Sequence, residues 1–165
     1  MSKLNFIAAA VLAASSLSAN ALTRDLGTMD PTGPDSNSLS VKYKTLTTFS
    51  DSWIFTIGAP SDVSFGAQSS FTALANQIQN FSGVLTGYGA LTKTVDVVKN
   101  QVNLGWSGQL AAGDYEVVIT GKTLVSNTSY TGQVVTTPVP EPTTYALLLG
   151  GLGVVGFVAR RRKAA

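Results

Sequence analysis

The chain has 165 residues, with 11 lysines and arginines against nine acids and neither cysteine nor histidine. The lack of cysteine excludes a disulfide framework, and the lack of histidine removes the commonest general base and metal ligand. Five of the bases are Lys3, Arg160, Arg161, Arg162 and Lys163; residues 22–137 keep six bases and eight acids, so the bulk of the chain is mildly acidic and nucleic acid is not an expected partner.

Residues 1–21 read as a removable signal peptide. Lys3 supplies a positive start, and Phe6 to Leu17 form a short apolar stretch interrupted by Ser15 and Ser16. Ala19-Asn20-Ala21 is a small-x-small site for signal peptidase. A buried N-terminal helix is the competing reading. What remains between the two ends suffices for one domain.

Residues 22–38 contain Asp30-Pro31-Thr32-Gly33-Pro34-Asp35-Ser36, which is turn chemistry, and predict an irregular segment. From 39 to 136 the pattern is β. Leu39, Val41 and Tyr43 alternate with polar residues, Ser52 to Ile57 is a dense apolar run, and Val63, Phe65 and Ala67 alternate again. Residues 71–81 fit either one or two helical turns or another strand. Short strand candidates follow at 83–86, 94–98 and 103–106. The clearest strand is Asp114 to Gly121, with Tyr115, Val117 and Ile119 on one face, and the last is Ser129 to Val135. Short strands at roughly 8–12-residue spacing predict an all-β fold, a small antiparallel β-sandwich or jelly roll.

After a proline-containing spacer at 137–143, residues 144–159 predict a single transmembrane helix and 160–165 a basic cytoplasmic tail. The uncharged run Tyr145 to Ala159 gives a helix of roughly 22–25 Å, slightly short of a bilayer core. Snorkelling arginines and local thinning make up such a gap. A buried core helix ending in a basic cap is the soluble alternative.

The tail therefore has three parts in fixed order: Val139-Pro140-Glu141-Pro142, a short apolar span, and Arg160-Arg161-Arg162-Lys163. In this it resembles the PEP-CTERM sorting signal of Gram-negative bacteria over residues 138–163. That signal is also labelled an ice-binding protein C-terminal domain, a label that implies no ice binding. The resemblance implies an exosortase as partner, a membrane-embedded cysteine transpeptidase, with cleavage near Pro140–Pro142. It further implies an inner-membrane intermediate, then release to the cell surface or extracellular matrix, with exopolysaccharide as a possible contact. Phe49-Ser50-Asp51-Ser52-Trp53 resembles the Phe-x-Asp-x-Phe signature of a PEP-CTERM subfamily, with Trp53 replacing the second Phe. The Leu110 to Tyr115 run resembles the Leu-x-Ala-Gly-x-Tyr turn of many secreted β domains.

Little in the middle carries chemistry. If residues 49–55 are one strand, Asp51 shares a face with Phe49, Trp53 and Phe55, which is costly for a carboxylate without hydrogen bonds. The favoured expectation is that the strand begins at Ser52 and Asp51 caps the preceding turn. The acids show no calcium-loop spacing, so neither metal nor cofactor is expected. No Ser-x-x-Lys or Gly-x-Ser-x-Gly occurs, and Asp114 with Glu116 reads as a solvated edge, so no catalytic residue is expected. Trp53, Trp106, Tyr88 and Tyr115 are candidates for stacking on sugar rings, the alternative to filling a core. The expected function is a non-enzymatic surface protein. A carbohydrate-binding module ranks second and a small exported hydrolase third.

Overall fold

The computed structural model describes residues 20–139 and 142–163. The predicted signal peptide, Asn20 and Ala21 apart, lies outside the described residues together with Ala19, and so do Pro140 and Glu141.

Ten strands form the body of the chain. They are β1 (Thr23–Met29), β2 (Asp35–Tyr43), β3 (Thr48–Ile57), β4 (Ser61–Ser70), β5 (Gln79–Leu85), β6 (Gly89–Ala90), β7 (Thr92–Asp96), β8 (Gln101–Leu110), β9 (Gly113–Lys122) and β10 (Thr128–Pro138). They divide into two five-stranded sheets, ordered β1-β3-β9-β5-β6 and β2-β10-β4-β8-β7. All pairings are antiparallel except β1 with β3. The sheets face each other: Trp53 and Phe55 of one meet Tyr130 and Phe65 of the other at ring separations of 5.7 and 6.3 Å. This is the all-β sandwich that the strand spacing predicts.

The sandwich exists because period-2 alternation holds over whole strands. In β3 Phe49, Asp51, Trp53, Phe55 and Ile57 are buried and the residues between them are not. In β4 Val63, Phe65 and Ala67 do the same, and in β10 Tyr130, Gly132 and Val134. Gly132 is required by a close approach. A Cβ there would lie 2.6 Å from the Trp53 ring.

Three boundaries differ from expectation. Residues 22–38 are not irregular: β1 pairs in parallel with β3 from Thr23↔Ser52, and β2 begins at Asp35. Gly27 adopts φ +79°, and the register shifts between Asp25 and Thr28. That bulge breaks the alternation, placing Leu26 and Met29 rather than two residues of one parity in the core. Residues 71–81 resolve into both options, a single 3₁₀ turn at Leu74–Asn76 and then β5. The expected spacer from 137 is shorter, because β10 stays paired with β4 through Pro138↔Ser61.

Helix α1 spans Pro142–Lys163. Leu147, Leu148, Leu149, Leu152, Val154 and Val155 are all exposed on it. Among the described residues, no helix is long and apolar enough to cross a membrane. The predicted span at 144–159 is thus helical, and its apolar part is short. Its uncharged run gives about 22 Å of rise against roughly 30 Å of hydrocarbon.

Candidate functional site

Asp51 lies at the centre of β3 with no solvent exposure. The expectation that it caps a turn is overturned, because the strand begins at Thr48 and Asp51 points inward between Phe49 and Trp53. Three donors converge on it. Tyr43 Oη from β2 and Tyr130 Oη from β10 each donate to Oδ2 at 2.5 Å. The backbone N–H of Leu22 donates to Oδ1 at 3.1 Å. Trp53 Nε1 donates to Tyr130 Oη at 3.0 Å, so that hydroxyl accepts from one motif residue while donating to another. A buried carboxylate is tolerable only with such partners.

The rest of the motif encloses the carboxylate. Phe49 stacks between Tyr43 and Tyr130, at ring separations of 4.7 and 5.5 Å. Phe81 meets Tyr130 edge-on. Phe49, Asp51 and Trp53 thus form one unit that clamps the two sheets. Arg24, on β1 two residues beyond Leu22, has its Nε buried without a hydrogen-bond partner.

Both tyrosines are held protonated. Burial pushes the hydroxyls of Tyr43 and Tyr130 well above the usual tyrosine range, and the hydrogen bond to Asp51 adds to it. Their folded values exceed the unfolded value near 10, so their contribution is complete below about pH 10 and is lost as pH rises above it. We expect the urea midpoint to fall steeply above about pH 10, and Tyr43→Phe to flatten that fall. An equal slope in Tyr43→Phe would contradict the assignment.

The aromatic candidates separate. Trp53 is fully buried and has no face free for a sugar. Trp106 is half-buried and meets Tyr88 at 75°, so the two rings do not form a coplanar platform. Tyr88 also lies 5.8 Å from Tyr115, whose hydroxyl burial pushes up to about 12 and donates to the Ala111 carbonyl. Asp114 and Glu116 both face outward on β9, and Asp114 accepts from Thr56 Oγ1 at 2.7 Å. Among the described residues, no group of three or more acids is placed to hold a metal.

Sequence reading missed the outer face of the second sheet. The strand registers align Ser40, Thr131, Gln68, Asn103 and Thr94 in one row across all five strands. Ser40 and Thr131 are hydrogen-bonded at 2.7 Å. In the next row Gly66 opposes Gly105, leaving a strip without side chains. The result is a face dominated by hydroxyls and amides, with Lys42, Asp62 and Asp96 towards its margins. Its signal was the serine, threonine and glutamine at the polar positions of these strands.

The sorting motif adjoins the sandwich directly. Val139 N donates to the Pro60 carbonyl at 2.9 Å, one residue beyond the end of β10. Pro140 and Glu141 follow, and Pro142 opens α1. Arg160 is exposed on the last turns of the helix, which also contain Arg161, Arg162 and Lys163.

Residues 138–163 match the family described as the PEP-CTERM protein-sorting motif. The chain is a β-sandwich protein carrying that motif, as its tripartite tail suggested. The motif implies an exported protein, processed by an exosortase and sorted to the surface of a Gram-negative cell. No match is found among curated proteins.

Solved structures with similar shape include the pre-peptidase C-terminal domain of collagenase from Bacillus anthracis. It is 10% identical, with a TM-score of 0.45, covering 73% of this chain and 99% of that one. A β-glucosidase from Paenibacillus barengoltzii is 13% identical, with a TM-score of 0.38, covering 72% of this chain and 11% of that one. The periplasmic inhibitor of g-type lysozyme PliG from Aeromonas hydrophila is 15% identical, with a TM-score of 0.35, covering 71% of this chain and 99% of that one. Likenesses this distant carry no weight for function.

Proposed function

We propose that the chain is a non-catalytic β-sandwich displayed on the cell surface or in the extracellular matrix. Signal peptidase cuts after Ala21 and an exosortase later cuts near Pro140–Pro142. The observation that carries this reading is where the fold stops. The sheet holds the chain through Pro138 and Val139, and the sorting motif starts at residue 138. A cut between Pro140 and Pro142 therefore releases all ten strands intact. The two prolines disfavour helical backbone in the residues that precede them, which suits a protease substrate.

Before that cut, the short apolar run of α1 holds the chain in a locally thinned inner membrane, with snorkelling Arg160 to Lys163 on the cytoplasmic side, as the positive-inside rule directs. Its short apolar run favours a transient stop over a durable anchor. The Phe49, Asp51 and Trp53 clamp supports membership of the Phe-x-Asp-x-Phe subfamily. The face rich in hydroxyls and amides supports contact with hydrated exopolysaccharide in a matrix or biofilm. The buried Trp53 and the edge-on Trp106 weigh against the carbohydrate-binding module that stacks sugars on aromatics.

Replacing Pro140, Glu141 and Pro142 together by alanine tests the sorting step. We expect uncut chain to accumulate in the inner-membrane fraction at least tenfold in a pulse-chase, with little reaching the surface. Unchanged release would contradict the role of the motif.

A further inference from the structure

Leu22 is the residue that signal peptidase would leave at the N-terminus, and its nitrogen already points at Asp51 Oδ1 from 3.1 Å. We propose that the sandwich contains a built site for a primary ammonium, the α-amino group of Leu22 set free by that cut, with Asp51 as its counter-ion. The inference rests on the processing reading above and adds what the cut does to the fold.

Among the described residues of the uncut chain, Asp51 is met by neutral donors only, two tyrosine hydroxyls and one amide. Among the described residues the single ion pair is Lys99 with Asp96, so no cation pairs with the buried carboxylate. A fully buried carboxylate without a cation is a costly arrangement. Hydrolysis of the Ala21–Leu22 bond changes the donor. The C–N bond breaks, and water supplies hydroxide to the Ala21 carbonyl carbon and a proton to the Leu22 nitrogen. The new amine takes a second proton from solvent, since its ordinary pKa is about 7.7–8.0. The Ala21 carboxylate leaves with the peptide. A hydrogen bond charged on the acceptor alone becomes an ion pair, charged on both sides, at the same position.

Two features keep the new terminus in place. Ser52 N donates to the Leu22 carbonyl at 2.9 Å, and Thr23 is in register with Ser52. Among the described residues, losing the leader removes the flanking contacts of Asn20 with the Thr48 carbonyl, the Ser50 N–H and Thr47 Oγ1.

The pH dependence follows from the groups around Asp51. Tyr43 faces it from β2 and Tyr130 from β10, while β1 brings Leu22 and the nearby Arg24. Pairing raises the folded pKa of the ammonium. Its contribution is complete below about pH 7.7 and is lost as pH rises through the raised value. The tyrosines lose theirs only above about pH 10.

The test compares two full-length chains without the leader, one beginning at Leu22 and one at Ala21, which moves the ammonium one residue away. At pH 6.5 the Leu22 form should melt higher by on the order of 5 °C. The gap should close near pH 10 and be absent when both carry Asp51→Asn. Should that substitution prevent folding, the α-amino pKa of Leu22 in the unsubstituted protein, followed by ¹⁵N NMR, should lie about one unit or more above its ordinary value. Equal melting of the two forms, or an ordinary pKa, overturns the ion pair. The first residue of the exported protein is read separately by mass spectrometry. A start other than Leu22 overturns the processing reading and this inference with it, whereas a Leu22 start with equal melting overturns the ion pair alone.

Discussion

Replacing Asp51 by alanine should lower the free energy of unfolding by about 3–5 kcal/mol, the cost of leaving three buried donors without an acceptor. The loss has a specific anatomy. Tyr43 Oη, Tyr130 Oη and Leu22 N all lose their acceptor, and each unsatisfied buried donor costs about 1–3 kcal/mol. Both tyrosines belong to the sheet opposite Asp51, and Leu22 leads into β1 beside it. The one carboxylate therefore ties together β1, β2, β3 and β10. Asp51→Asn keeps an acceptor of the same shape and should lose less than half as much. Urea unfolding of the two variants checks this, and a difference of under about 1 kcal/mol between Asp51→Ala and the natural chain would contradict the network.

Gly132→Ala should be almost as damaging, at about 3 kcal/mol, the upper end for overpacking a filled core. A Cβ at Gly132 would stand 2.6–2.7 Å from three carbons of the Trp53 ring. Real Cβ atoms do not approach so closely, so the ring or the β10 backbone must move. The ring is held by Phe65 at 6.3 Å, by Tyr130 at 5.7 Å and by the Nε1 hydrogen bond to Tyr130. Shifting it disturbs the hydroxyl that serves Asp51. The double variant Gly132→Ala with Trp53→Leu has room for the methyl group and should be less destabilised than the two single losses summed. Simple additivity in that cycle would contradict the close approach.

The tail was legible because its signal is linear: proline and glutamate, a short apolar run and a basic stop need no folding to be recognised. β9 was legible for a similar reason. Tyr115, Val117 and Ile119 alternate cleanly between two glycines, and the strand runs over Gly113–Lys122. β1 was hidden by its bulge at Gly27, which breaks the parity that marks a strand, and by the prolines that follow. Asp51 was misread because the partners that make a buried carboxylate tolerable are not local. Tyr43 is eight residues away, but Leu22 is 29 and Tyr130 is 79. Only the uninterrupted run from Thr48 to Ile57, free of glycine and proline, pointed to a single strand through it. The polar face of the second sheet was likewise visible strand by strand, and only the registers assemble it into a surface.

The most direct test of surface sorting is the mass of the mature C-terminus in protein recovered from the cell surface. The account predicts a chain ending between Val139 and Pro142, with α1 gone. A surface protein that retains Arg160 to Lys163 would contradict it, and would make the tail an anchor.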